Sequence, residues 1–361
     1  MRTENSKKMK TARNIVNFGV VAALLLGLAA CTDEEAMVIQ KPYTYDAQYY
    51  SNIREYKKSD HCLSYVFYAA YAPIEGVEGY KDPASWGERL RGLPDSLDIC
   101  NLWMGIPSND PEADNYMPVA YKDMRYMQKN LGTRFVSHAD ASQSKRTVEG
   151  VDFDFTVDTE NTIVAYGEAL VAQALKYDLD GIDVDYEPNC EQWLTPSNIL
   201  LLAQTIGKHF GPSGTDPDKL FIIDFYNHGS LLPAEIDQWV SYYVIQAYTQ
   251  GFTEHSVSYL QNNFYEQISG ITTPDKVIVT ENFGSWYENG GSPFNDADGN
   301  PMYTTDGSRM YSLEGMARWN PTQGEKGGFG AFYVDRDYYS KTGIPYYNIR
   351  RCIQIANPAI Y

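Results

Sequence analysis

The chain has 361 residues, enough for one large domain, and its 29 Lys and Arg against 47 Asp and Glu leave a net charge of −18. Such a polyanion repels phosphate backbones, which excludes nucleic acid as a partner, and 43% hydrophobic with 21% charged residues is neither disordered nor fibrous composition. The 30 Tyr exceed what a core requires, and rings with an apolar face and a polar edge make good platforms for sugars.

The first predicted element is a leader. Lys7, Lys8, Lys10 and Arg13 precede an apolar run at 20–26 that is too short for a comfortable membrane span. The run ends in Leu28-Ala29-Ala30-Cys31, which resembles a bacterial lipobox. That resemblance implies cleavage before Cys31 and lipidation of its thiol; an ordinary secretory signal with a chance cysteine is the alternative. Thr32-Asp33-Glu34-Glu35 is similar to the acidic tag that sends Bacteroidetes lipoproteins to the outer face of the outer membrane. The expected organisation is a lipoprotein signal at 1–30, an acidic tether at 31–44 and one domain at 45–361, on an outer-membrane lipoprotein facing the cell exterior. No later segment reaches about 18 consecutive apolar residues, so no transmembrane helix is expected after the leader. Cys62, Cys100, Cys190 and Cys352 are widely spaced, form no CxxC pair and lack zinc-ligand spacing. Export permits disulfides among them, but nothing assigns one.

Short apolar, β-rich runs then alternate with helical patterns. Candidate strands are 63–68, 99–103, 134–137, 181–185, 220–225, 243–247, 277–281 and 330–334. Ala120 to Leu131 reads as a helix capped by Gly132. Ile163, Tyr166, Leu170, Val171, Ala174 and Leu175 fall on one helical face. Thr195 and Pro196 open a further helix that runs to Phe210 and is stopped by Gly211-Pro212. Eight strands with interleaved helices fit an α/β fold, a single (β/α)8 TIM barrel. A doubly wound open sheet would want a Gly-rich turn after its first strand, and 63–71 contains no glycine. Long loops at 105–118, 140–156 and 284–310 would all lie on the C-terminal face, where barrels build their sites.

The most informative stretch is Asp180-Gly181-Ile182-Asp183-Val184-Asp185-Tyr186-Glu187. Side chains alternate along a strand, so Asp183, Asp185 and Glu187 share the inner face while Ile182, Val184 and Tyr186 face the helices. Carboxylates stacked in a barrel mouth cannot all ionise, and a carboxyl that keeps its proton near neutral pH is what general-acid catalysis needs. An acidic strand end on a solvated surface is one alternative. A Mg2+ or Ca2+ site is another, although no His or second acidic cluster nearby completes a shell.

Asp180-x-x-Asp183-x-Asp185-x-Glu187 resembles the signature of family 18 glycoside hydrolases, with all four acidic positions intact. The resemblance implies a TIM barrel and retaining, substrate-assisted hydrolysis of β-linked N-acetylglucosamine, without a protein nucleophile. It implies that Glu187 protonates the glycosidic oxygen and later activates water. Asp185 orients the 2-acetamido group that attacks the anomeric carbon, Asp183 shares a proton with Asp185, and Asp180 is structural. Gln246 and Tyr248, two apart in Tyr243-Val244-Ile245-Gln246-Ala247-Tyr248, can hydrogen-bond the acetamido oxygen and stabilise an oxazolinium. This Gln-x-Tyr resembles endo-β-N-acetylglucosaminidases more than the Met-x-Tyr-Asp of chitinases, and Ser137-His138-Ala139 departs from the chitinase Ser-x-Gly-Gly. The expected reaction is cleavage between the two core GlcNAc residues of N-glycans. A chitinase, or a non-catalytic surface glycan-binding protein on the same barrel, is the alternative.

Trp103, Trp286 and Tyr333 at strand ends could stack on a sugar, or simply pack the barrel mouth. Asn227, Asn282, Asp335 and His138 also follow or end strands and could bind hydroxyls. No cofactor or metal is expected. The expected partners are N-glycans or GlcNAc-bearing glycoproteins, other glycan-uptake proteins, and the membrane through the lipid anchor alone.

Overall fold

The computed structural model describes residues 44–69, 90–188, 193–249 and 254–358. The leader, Cys31, the acidic tether up to residue 43 and Cys190 lie outside the described residues.

All eight expected strands form. They are β1 (Leu63–Phe67), β2 (Ile99–Leu102), β3 (Arg134–Asp140), β4 (Gly181–Asp185), β5 (Leu220–Phe225), β6 (Tyr242–Gln246), β7 (Val277–Asn282) and β8 (Gly328–Phe332). Each pairs in parallel with its sequence neighbour, and β8 returns to β1 to close a (β/α)8 barrel. Period-two alternation divides the core into two layers. Leu63, Tyr65, Phe67, Ile99, Val136, Leu220, Ile222, Val244 and Ile278 fill the barrel. Val66, Cys100, Phe135, Ile182, Val184, Ile223 and Val279 point outward against the helices, and Tyr186 joins them just past the end of β4. Closure between β1 and β8 requires glycine at 330. A Cβ there would stand 1.7 Å from the carbonyl oxygen of Tyr65, its register partner.

The helices follow their signals with local departures. Pro118–Tyr126 is α-helical, continues as one wider π turn through Met127–Leu131, and stops at Gly132 with φ 70°. Thr159–Lys176 buries Ile163, Tyr166, Leu170, Val171 and Ala174. Leu175, expected on that face, is 54% exposed, because it drifts off the stripe at the last turn. Pro196–Gly207 begins as its cap predicts, with Thr195 Oγ1 accepting from the Asn198 backbone N–H at 3.2 Å. It ends three residues before Phe210, which instead bridges to Asp216.

Strand ends moved more than strand cores. β3 runs three residues past expectation, and the loop after it carries an antiparallel hairpin, Lys145–Val148 with Val151–Asp154. That loop is braced by Phe155 stacked on Trp193 at 3.8 Å and by the Trp193 indole donating to Gln143 O at 3.1 Å. β6 ends at Gln246, so Tyr248 lies beyond the strand. β8 sits two residues earlier than expected, which leaves Tyr333 outside it with φ 56°. Cys62, Cys100 and Cys352 are free thiols, and among the described residues no helix is long and apolar enough to cross a membrane.

Candidate active site

β4 carries the acidic file. At its start Asp180 Oδ2 accepts from the Phe135 backbone N–H at 2.8 Å and from Gln128 Nε2 at 2.7 Å, so this carboxylate fastens β4 to β3 and to the helix before it. Asp183 is wholly buried inside the barrel, the Asp185 side chain is 16% exposed, and Glu187 is half-buried beyond the strand end. The three therefore climb from the sealed interior to the open mouth.

Asp183 is held from β1 and β2, across the barrel interior from its own strand. Its Oδ2 accepts from the Tyr65 phenol of β1 and from Asn101 Nδ2 of β2 at 2.8 Å. Its carboxyl contact is with Asp224 of β5, which is equally buried. The expectation paired Asp183 with Asp185. The register sets Ile222 of β5 opposite Asp183 and Asp224 opposite Asp185, so the Asp224 side chain reaches Asp183 along the diagonal while also facing Asp185. Gln246 links the remaining acids: its Nε2 donates to Asp224 Oδ2 at 2.8 Å and to Asp185 Oδ1 at 3.2 Å. With both amide hydrogens so used, Gln246 aims Asp185 before any substrate arrives.

Burial dominates the electrostatics. It raises the Asp183 carboxyl to about 6. Asp185 lies well above the usual carboxylate range through burial and the charges of Glu187, Asp140 and Asp183. Asp224 does so through burial and the charges of Asp183 and Asp185. His138 Nε2 lies 3.9 Å from Asp185 Oδ2, but burial lowers the imidazole to about 4, so it faces the acids as a neutral ring. The Arg146 guanidinium is committed to Asp140 at 2.9 Å.

An aromatic wall rises beside the acids. Tyr248 is 4% exposed, stacks on Phe332 at 5.8 Å and 15°, and its phenol contacts Thr280. Burial, then the charges of Asp224 and Asp185, hold that phenol protonated far above its usual range. Trp103 meets Phe332 and Tyr333 edge-on at 5.2 and 5.8 Å, and Arg336 covers the Tyr333 ring at 4.6 Å. Trp286 is half-buried at the end of the short helix Phe283–Trp286 that follows β7. Asn227 is exposed two residues past β5. Asn282 and Asp335 each have one oxygen engaged by backbone. Asn282 Oδ1 caps that short helix by accepting from the Gly284 N–H at 2.6 Å, and Asp335 Oδ1 accepts from the Ala69 N–H at 3.0 Å. Both anchor backbone at the mouth. Among the described residues no cluster of His, Cys, Asp and Glu is arranged to hold a metal ion.

Three residues of the site went unmarked in the sequence: Tyr65, Asn101 and Asp224. The signal was a polar group at an inward position of an otherwise apolar strand, Asn101 in Ile99–Leu102 and Asp224 in Leu220–Phe225. Tyr65 gave no such signal, since a tyrosine in a strand is ordinary core.

Residues 31–355 match the family described as glycoside hydrolase family 18, BT1044-like. The chain is similar to endo-β-N-acetylglucosaminidase F2 of Elizabethkingia meningoseptica, 26% identical over 341 residues that cover 91% of this chain and 92% of that protein. Among solved structures it resembles BT1044, with a TM-score of 0.66 at 19% identity over 89% of this chain and 97% of that one. It also resembles the apo endo-β-N-acetylglucosaminidase of Cordyceps militaris, with a TM-score of 0.62 at 21% identity over 88% and 98%.

Proposed function

The chain belongs to glycoside hydrolase family 18, in its BT1044-like group, and from that premise we propose that it is an endo-β-N-acetylglucosaminidase. Its reaction is retaining cleavage of the β-1,4 bond between the two core GlcNAc residues of N-glycans, through an oxazolinium intermediate. The observation that carries this reading is the inward file Asp183, Asp185 and Glu187, with Asp185 aimed by Gln246 beneath a buried phenol. The likeness to endo-β-N-acetylglucosaminidase F2 along nearly the whole chain supports the same branch.

Glu187, at the open end of the file, protonates the glycosidic oxygen and then draws a proton from water. Asp185 holds the acetamido N–H so that its carbonyl oxygen attacks the anomeric carbon, and its negative charge opposes the positive charge that develops on the ring formed. Tyr248, protonated at any working pH, donates to the acetamido oxygen. Gln246 acts on Asp185 in this scheme and not on the acetamido oxygen. Trp103, Tyr333 and Trp286 offer ring faces to the glycan at the mouth. Attachment to the outer membrane through Cys31, facing the exterior, belongs to the same proposal and is supported by the lipobox-like Leu28-Ala29-Ala30-Cys31.

Incubation with high-mannose, hybrid and complex N-glycoproteins, with released glycans read by mass spectrometry, tests the reading. The expected product pair is a glycan ending in one GlcNAc and a protein keeping the other on its asparagine. Binding without release would make the chain a glycan-binding protein, and turnover of chitooligosaccharides alone would make it a chitinase.

A further inference from the structure

Asp183 and Asp224 are both wholly buried, touch each other, and leave one oxygen each without a donor. On Asp183 the satisfied oxygen is Oδ2, bound by Tyr65 and Asn101; on Asp224 it is Oδ2, bound by Gln246. The two Oδ1 atoms have no hydrogen-bond partner. Buried acceptors of this kind are rare, and two ionised carboxylates in contact away from water repel strongly. A single proton between them removes both problems.

We propose that Asp224 is a positioning residue of the reaction: it shares one proton with Asp183 and, through Gln246, aims Asp185, so that Asp185 is the anion of the cluster when the acetamido group arrives. The surroundings support that placement. Tyr65 from β1, Asn101 from β2, His138 and Asp140 from β3, and Gln246 and Tyr248 from β6 and its extension face the acids, and Thr280 from β7 meets the Tyr248 phenol. None is a cation free to neutralise them, since His138 is neutral and Arg146 is engaged by Asp140. Asp185 differs from the pair in being partly open to the mouth and in facing Glu187. With one proton the pair counts as one negative charge instead of two, which lets Asp185 ionise when positive charge develops beside it. The role rests on the substrate-assisted reading above; the position of the proton does not.

Asparagine at 224 reproduces the protonated acid in shape and charge, and its amide can donate to Asp183 Oδ1. Valine keeps the bulk and removes the donor. Infrared difference spectra at neutral pH, in the carbonyl-stretch region of buried protonated carboxyls, locate the proton. The band of the pair is expected in the unaltered enzyme and in Asp185→Asn, where Asp185 can contribute none, and is lost when Asp224→Asn is added to Asp185→Asn. A band kept in Asp224→Asn and lost in Asp185→Asn would place the proton between Asp183 and Asp185 and overturn the proposal, as would no band in the unaltered enzyme. Asp224→Asn should lower kcat by no more than about tenfold and Asp224→Val by about 100-fold, with KM unchanged, since leaving Asp183 without a donor is the larger fault. Equal losses in the two variants would reduce Asp224 to a space-filling residue. The infrared arm needs no turnover, so failure on every N-glycan would strike the proposed function alone.

Discussion

At the N-terminal end of the barrel a cavity of about 1390 Å3 is lined by Arg54, Lys57, His61, Asp98, Arg134 and Lys326 among others, and its buried charges have partners. Asp98 accepts from the Ser64 N–H at 2.8 Å, from Ser64 Oγ at 2.7 Å and from His61 at 3.0 Å. Lys57 donates to Leu97 O and Thr133 Oγ1, and Lys326 to the carbonyls of Ala317 and Trp319. At the C-terminal end, Asp183, Asp185 and Asp224 are gathered with no cation acting on them among the described residues and with two oxygens left bare. What marks the working end is uncompensated charge: a compensated buried charge holds the fold, whereas an uncompensated one must take up or release protons, which is the raw material of acid–base catalysis.

The largest effect expected from breaking this contrast is at the mouth. Glu187→Gln removes the proton donor while keeping the shape, so kcat should fall by about 10²–10⁴ with thermal stability nearly unchanged. Turnover close to that of the unaltered enzyme would take the general-acid role from Glu187. At the opposite end the signs reverse. Asp98→Ala strands the Ser64 donors and His61 in a buried site and should cost about 3 kcal/mol in urea unfolding, while kcat per folded molecule stays the same. A fall in kcat without loss of stability would contradict the division between the two ends.

Much of this was legible in the sequence, for reasons that differ by residue. Period-two alternation fixed which face of β4 carries Asp183, Asp185 and Glu187, because a strand offers only two faces. Thr195-Pro196 and Gly132 marked helix ends through backbone chemistry that needs no tertiary context. Asp224 could not be tied to Asp183 in advance, since their contact depends on the stagger of β4 against β5, a property of barrel closure and not of either segment. Asn282 and Asp335 were expected to bind hydroxyls because they follow strands, and the sequence could not show that a short helix and the backbone after β1 each engage one of their oxygens. Residues after barrel strands serve either purpose, and only the local hydrogen-bond partners decide between them.

The smallest effect is a gain. Asp183 has its carboxyl raised from 3.8 to about 6, chiefly by burial. An acid raised by folding keeps, in the folded state, a proton that the unfolded chain has already released. Stability therefore falls as pH climbs from about 4 to about 6, and stays lowered above that window. Asp183→Asn removes the titration while its amide oxygen can still accept from Tyr65 and Asn101. The variant should be more stable than the unaltered protein at pH 7, by about 1–3 kcal/mol or a few degrees in Tm, and nearly equal to it at pH 4. Lys57 supplies the counterpart at the other end: burial lowers its ammonium to about 8, so stability rises as pH climbs from about 8 to 10.5, and Asp183→Asn should leave that slope alone. A gain of equal size at pH 4 and pH 7 would trace the effect to packing and not to the proton, and the account of the mouth as the end that bears uncompensated charge would lose its thermodynamic support.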